Sequence, residues 1–244
     1  MINISTQTDN QCIVSNHFWF PIQSIIDKLI IICNQSNYKN ILEIGPGLSP
    51  FPIANYFIGF NEKLSNYINI DIDQNIIPFH NNFFHFLYSR HTLEDIQNPS
   101  FALSQMFRVS SNGFIETPSP IIEITKGVDN SYFNQLYSGY VHHRYIIWSN
   151  IKNNHIYILP KYSCIIDNLI HANNPDVINL LQNPIYWNNY FIWNNNNIPT
   201  ITNYKVGVYI NPDTFVQDYI NIINNAINDS IANTNYFIHE ILKL

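Results

Sequence analysis

The sequence predicts an α/β fold in which an open, mostly parallel sheet is flanked by helices, with a C-terminal β-hairpin and an Asn-rich helical or irregular appendage. Three observations predict it. Short apolar runs alternate with segments of helical period from Ile22 to Pro118, the pattern of strands joined by crossover helices. The first of those runs halts at Gly45-Pro46-Gly47, a sharp turn at a strand's carboxyl end. From Tyr145 the pattern changes to two apolar runs separated by the polar stretch Asn150 to Asn154, as in a hairpin.

Each element has its own signal. Residues 1–19 read as an irregular lead-in. Pro21 opens a helix whose apolar face is Ile22, Ile25, Ile26, Leu29, Ile30 and Ile32, ending near residues 34–37. Ile41 to Ile44 is a buried strand. Pro50 or Pro52 starts a short helix over 50–57, and 57–60 forms a second strand. Tyr67 to Asp73 alternates as a strand does, and Phe83 to Tyr88 follows as a strand crowded with aromatics. Leu93 to Phe107 has helical spacing, with Ala102, Leu103, Met106 and Phe107 on one face. Gly113 to Pro118 is a strand ended by Pro118 and Pro120. Residues 145–148 and 156–159 form the hairpin, 164–204 a small helical or irregular cap against it, and Phe215 to Leu244 a final helix. The chain is expected to be one domain, with core motifs at 39–120, an acceptor-side insertion or lid at 121–145 and a C-terminal extension at 164–244.

Composition excludes several function classes. Eleven Lys and Arg against seventeen Asp and Glu give a formal charge of -6, so the chain lacks the basic footprint of a nucleic-acid or anionic-membrane binder. Ile (44) and Asn (39) together fill about a third of the 244 residues, the mark of an AT-rich coding sequence such as that of a large virus or an intracellular organism. Asn194 to Asn197 has no packing pattern of its own. Cys12, Cys33 and Cys164 are odd in number and far apart, which argues against a disulfide scaffold and for a reducing, cytoplasmic setting. The polar N-terminus lacks the parts of a secretory signal, and no apolar run reaches the length of a membrane span.

The residues that can carry chemistry gather at strand ends. Gly45 and Gly47 let a ligand approach the backbone at the edge where open α/β sheets bind. Pro50 stands where a pyrophosphate-binding loop needs a third glycine, and no phosphate-loop Lys follows, so dinucleotide and nucleoside triphosphate readings fall. Glu62, 17 residues after Gly45, is near the offset of a ribose-binding acid and equally reads as a surface Glu. Asp71 and Asp73 share a face if their strand is regular, with Asp73 the better contact for a ribose or base. His91, His142 and His143 are candidates for a general base, since imidazole titrates near neutrality. His142 and His143, if in a strand, point opposite ways, so only one faces a pocket. No zinc ligand set can be read from the spacing, although His80, His85 and His91 could converge.

The runs ILEIGPGLSPFP (41–52), IDIDQNIIPF (70–79), FFHFLYSRHTLEDIQNP (83–99) and MFRVSSNGFIETPSP (106–120), in this order, resemble class I S-adenosylmethionine-dependent methyltransferases and within them the type 11-like branch. The resemblance covers about residues 39–120 and implies a Rossmann-like sheet with S-adenosyl-L-methionine as cofactor. It implies that Gly45 and Gly47, with Glu43 supporting the loop, hold the methionine part, and that Asp73, with Asp71 in reserve, stands beside the adenine. Ser89 and His91 would line the cofactor, with Glu94 matching the family's LE pair. Asp95 replaces the usual His, a change expected to matter little, and the second-strand acid is not clearly placed, leaving Glu62. A histidine pair like His142-His143 recurs in the branch. The implied reaction is methyl transfer to an acceptor that the charge balance makes a small molecule or glycan rather than nucleic acid. The alternative is an inactive methyltransferase-like scaffold protein; an NAD(P)-dependent reductase is penalised by Pro50.

Overall fold

The computed structural model describes residues 20–59, 64–129, 137–169, 179–194 and 197–243. Six strands form the main sheet in the order β3-β2-β1-β4-β5-β8. They are β1 (Ile41–Ile44), β2 (Tyr56–Ile58), β3 (Tyr67–Ile68), β4 (Phe86–Arg90), β5 (Gly113–Pro118) and β8 (Asn188–Trp193). The first five run parallel, and β8 pairs antiparallel with β5. The chain leaves β1 for one edge and returns to β4 on the other side, so this Rossmann-like sheet has its switch point between β1 and β4. The expected open, mostly parallel sheet is what the strands form.

Alternating side chains assign the two faces. Ile41, Phe86, Tyr88 and Phe114 pack against Ile25, Ile26 and Leu29 of α1 (Gln23–Gln35). Leu42, Ile44, Leu87 and Ile115 pack against Leu103 and Met106 of α2 (Pro99–Val109). Because both faces are covered, β1 and β5 are buried along their whole length, Glu43 and Glu116 included. A second sheet of β6 (Tyr145–Asn150), β7 (His155–Pro160) and β9 (Thr200–Asn203) contains the expected hairpin. Its core is shared with α3 (Pro120–Ile124), α4 (Ser163–Ile166) and α5 (Phe215–Tyr236), the last continuing into a π-helical turn at Phe237–Leu242.

Five local expectations give way. No helix forms over 50–57; Pro50 and Pro52 remove two amide donors, and the chain turns back into β2, which ends at Ile58. The strand expected to reach Asp73 stops at Ile68, opposite the last residue of its partner β2, Ile58; beyond it the Asp71 carboxylate accepts the Asp73 N–H (3.0 Å) in an Asx turn. Asp71 and Asp73 therefore do not share a strand face. The helix expected from Leu93 starts at Pro99, capped by Asn98, whose Oδ1 accepts the Phe101 N–H (3.2 Å). The stretch 164–204 is no mere cap on the hairpin, since it supplies β8 to the main sheet and β9 to the small one. The strand expected from Phe83 begins at Phe86 and runs on to Arg90.

Candidate active site

A cavity of about 350 Å³ opens at the carboxyl ends of β1, β2 and β4. That is the low end of the range for small-molecule sites. Its apolar walls are Ile44, Ile58, Ile70, Ile72 and Ile96, and its charged lining is Asp71, Asp73 and Asp95 against Arg144.

Local chemistry sets each of these positions. Gly45 has φ +74°, and a Cβ there would lie 2.0 Å from Thr92 Oγ1, so both the backbone and the neighbouring side chain require glycine. Thr92 Oγ1 in turn donates to the carbonyl of Arg90 (3.2 Å), closing the β4 end over the glycine turn. Beneath the turn, Glu43 is buried in β1, and its Oε2 accepts the Phe51 N–H (2.8 Å), which ties the loop down. Burial pushes the Glu43 carboxyl up to about 7, against the pull of the Phe51 N–H and the Arg90 cation. On the other rim, the Asp73 carboxylate accepts the N–H groups of Gln97 (3.0 Å) and Asn98 (2.7 Å), fastening the segment after β3 to the lead-in of α2.

His91 lines the cavity just past β4 with φ +49°. Its Nδ1 lies 3.5 Å from Glu94 Oε1 and its Nε2 3.7 Å from Glu116 Oε1. Both Glu94 carboxylate oxygens and Glu116 Oε1 are buried without a hydrogen-bond partner among the described residues. Desolvation raises the Glu94 carboxyl above its ordinary value, although the neighbouring His143 and His91 pull the other way.

Nearby, His143 Nδ1 meets Glu123 Oε1 at 2.5 Å, and Lys161 Nζ donates to Glu123 Oε2 at 2.6 Å. Burial works against the charged Glu123, yet the Lys161 and His143 cations hold its carboxyl down to about 2. Burial likewise opposes a charged His143, and the neighbouring Glu123 prevails, raising the imidazole above its ordinary range.

Of the expected site residues, Gly45, Asp71, Asp73 and His91 line the cavity. Glu43, Ser89 and Glu94 are buried outside its lining, and Gly47 sits where an added Cβ would meet nothing within 4 Å. Glu62, and residues 130–136 of the expected lid, lie outside the described residues. His142 and His143 are in a turn and coil before β6, not in a strand, so they do not point apart: both Nε2 atoms approach Asp95 Oδ1, at 3.7 and 3.8 Å. The suggested convergence of His80, His85 and His91 fails. His85 precedes β4 and binds the Asn40 N–H (3.0 Å), His80 sits against the Asn81 carbonyl (2.9 Å), and His91 follows β4 at its other end. Thr92, Asp95, Gln97, Arg144 and Gly59 were missed. Asp95 had a signal, as the one departure from the family's pattern in its segment.

No protein-family model and no curated protein matches the chain. Solved structures similar to it include methyltransferases. One is an S-adenosylmethionine-dependent methyltransferase from Mesorhizobium loti, with 20% identity, 34% of this chain and 48% of that chain covered and a TM-score of 0.29. Another is a putative methyltransferase from Bacillus halodurans, with 18% identity, 39% and 52% covered and a TM-score of 0.32. A third is the plantazolicin methyltransferase BpumL, in complex with a triazolic desmethylPZN analog and SAH, with 15% identity, 40% and 47% covered and a TM-score of 0.33. The chain spans about half the length of these structures.

Proposed function

We propose that this cavity binds S-adenosyl-L-methionine and that the chain transfers its methyl group to a small-molecule or glycan-type acceptor. The observation that supports this most is the sign of the lining: three carboxylates against one guanidinium, set between isoleucine walls. A sulfonium nucleoside brings positive charge to such a site and an apolar base to its walls. A pyrophosphate brings the opposite charge, and the turn after β1 leads into β2 without a helix whose N-terminus could offset it. The residues fit the group. Asp73 keeps acceptor capacity beyond its two amide contacts, since an ionised carboxylate has about four lone-pair sites.

S-adenosylmethionine supplies a methyl already activated by its sulfur, so the chain needs no covalent nucleophile. Its residues align the reactants and exclude water. Glu43 holds the Gly45–Gly47 turn from below through the Phe51 amide. Asp73 and Asp71 hold ribose or adenine, and Ser89 and Glu94 back the wall carrying His91. His91 is the best placed of the three histidines to take a proton from an acceptor, because its ring alone among them lines the cavity.

A protein that binds the cofactor without transferring its methyl is the second reading, favoured by both His91 ring nitrogens already facing carboxylates of the fold, Glu94 and Glu116. Incubation with methyl-labelled S-adenosylmethionine and a fractionated metabolite extract separates the two. Label is expected in the low-mass fraction and not in RNA, with turnover falling by about 100-fold or more in His91→Ala. Cofactor binding without any transfer would establish the second reading.

A further inference from the structure

We propose that Asp95, His142 and His143 form a binding site for a divalent first-row transition ion of the zinc kind at the rim of the cavity. One donor atom from each lies within 4.8 Å of the others. Asp95 Oδ1 is 3.7 Å from His142 Nε2 and 3.8 Å from His143 Nε2. Zinc bonds of ~2.0–2.2 Å in a tetrahedral arrangement set donors ~3.4 Å apart, so the two Asp95 distances close with shifts of a few tenths of an ångström, and the two imidazole nitrogens, within 4.8 Å of each other, close by rotation of the exposed His142 ring.

Three further features separate the site from a chance meeting of an acid and two imidazoles. The first is the support behind His143. Its Nδ1 side is engaged by Glu123, and Glu123 is fixed by Lys161, which also donates to the Tyr140 carbonyl (2.8 Å). Glu123 keeps a proton on Nδ1, so an ion that displaces the Nε2 proton meets a lone pair on the side facing Asp95; this is the carboxylate–histidine pairing that orients metal-binding imidazoles. The second is Asp95 itself, whose Oδ1 is buried and has no hydrogen-bond partner among the described residues. Its backbone is also held, since the Asp95 carbonyl accepts from Arg144 Nε (3.0 Å). The third is His142, whose side chain is 63% exposed and whose ring meets His143 edge to face at 4.5 Å. An exposed ring can complete the set by rotation and leaves room for a fourth, exchangeable donor.

Two imidazoles and one carboxylate with an open position suit zinc and its neighbours rather than magnesium or calcium, which prefer oxygen donors alone. Asp95 also lines the cavity, so the ion would sit between solvent and the proposed cofactor site. There it would polarise an acceptor hydroxyl, a role that rests on the methyl-transfer reading, whereas ion binding does not. His142 and His143 would then be ligands, leaving His91 as the base.

The test is calorimetric titration of the full chain with Zn²⁺ and with Mg²⁺, alongside visible absorption with Co²⁺. One Zn²⁺ per chain, d–d bands with Co²⁺ and no heat with Mg²⁺ are expected. His142→Ala and Asp95→Asn should each weaken Zn²⁺ binding by more than about tenfold, and Glu123→Gln by about 10–100-fold. His239→Ala, in the C-terminal turn, should leave it unchanged. Because Glu123→Gln also strips Lys161 of its partner, the exposed His142→Ala carries the decision. Failure of the wild type to bind Zn²⁺, or equal binding by wild type, His142→Ala and Asp95→Asn, overturns the site. S-adenosylhomocysteine titrated into the same samples reports on the cofactor site separately.

Discussion

Gly45 carries two constraints that a side chain would violate together, a left-handed backbone and the Thr92 hydroxyl 2.0 Å from an added Cβ. Gly45→Ala should therefore destabilise by more than about 1 kcal/mol, the cost of the backbone alone. Thr92→Ala in the same chain should restore part of the loss in urea denaturation; no recovery would mean that the contact is not what requires glycine. Glu43 gives a second residue-scale expectation. Burial raises its carboxyl from 4.5 to about 7, so the folded chain holds a proton that the unfolded chain releases. Its contribution is fully present below pH 4.5 and lost as the pH rises through about 7. His143, also raised, acts in the same direction above its ordinary 6.5, whereas Glu123, lowered to about 2, loses its contribution as the pH falls below 4.5. Thermal midpoints should thus decline from mildly acid to neutral pH, and Glu43→Gln should flatten that decline. A wild-type profile flat over this window would contradict the buried, proton-holding Glu43. At this scale the glycine turn was legible because a glycine pair after an apolar run has few other causes. The role of Asp95 was not, because its partners His142 and His143 lie some 50 residues on and meet it only in the fold.

Among the elements, the Asn-rich C-terminal part shows how a biased composition hides function in the fold. Asn233 of α5 accepts the Ile151 N–H (2.7 Å) and donates to the Tyr190 carbonyl (2.7 Å), while Ser149 Oγ donates to the same carbonyl (2.7 Å). One buried asparagine therefore bolts the helix to the end of β6 and to β8. Asn233→Ala strands the part-buried Ile151 N–H and takes one of two side-chain donors from the Tyr190 carbonyl, and should cost about 1–3 kcal/mol in chemical denaturation. A cost below about 0.5 kcal/mol, the level of an ordinary surface change, would show that the network is not holding the two sheets together. With 39 Asn in the chain, this one could not be told in advance from the others. The same bias hid β8, whose first two residues, Asn188 and Asn189, are buried in the strand. By contrast β1, β5 and the hairpin were legible, since continuous burial or strict pairing leaves a plain apolar signature. The short β3 was overread because its ladder ends with β2 at Ile58, opposite Ile68, and the Asp73 amide goes to the Asp71 carboxylate instead of a strand partner.

For the molecule as a whole, topology and charge together decide what kind of ligand the switch-point edge can take. The five parallel strands bring Gly45, Gly59 and His91 to one rim, and the segments after β3 and β4 add Asp71, Asp73 and Asp95. Strand order alone would admit dinucleotides; the acidic lining and the helix-free turn after β1 set them aside. Equilibrium titration of the purified chain with S-adenosylhomocysteine and with NADH, read by calorimetry, tests that selection most directly. Micromolar binding of S-adenosylhomocysteine and no binding of NADH are expected. Binding of NADH, or no heat with the sulfur nucleoside, would contradict it.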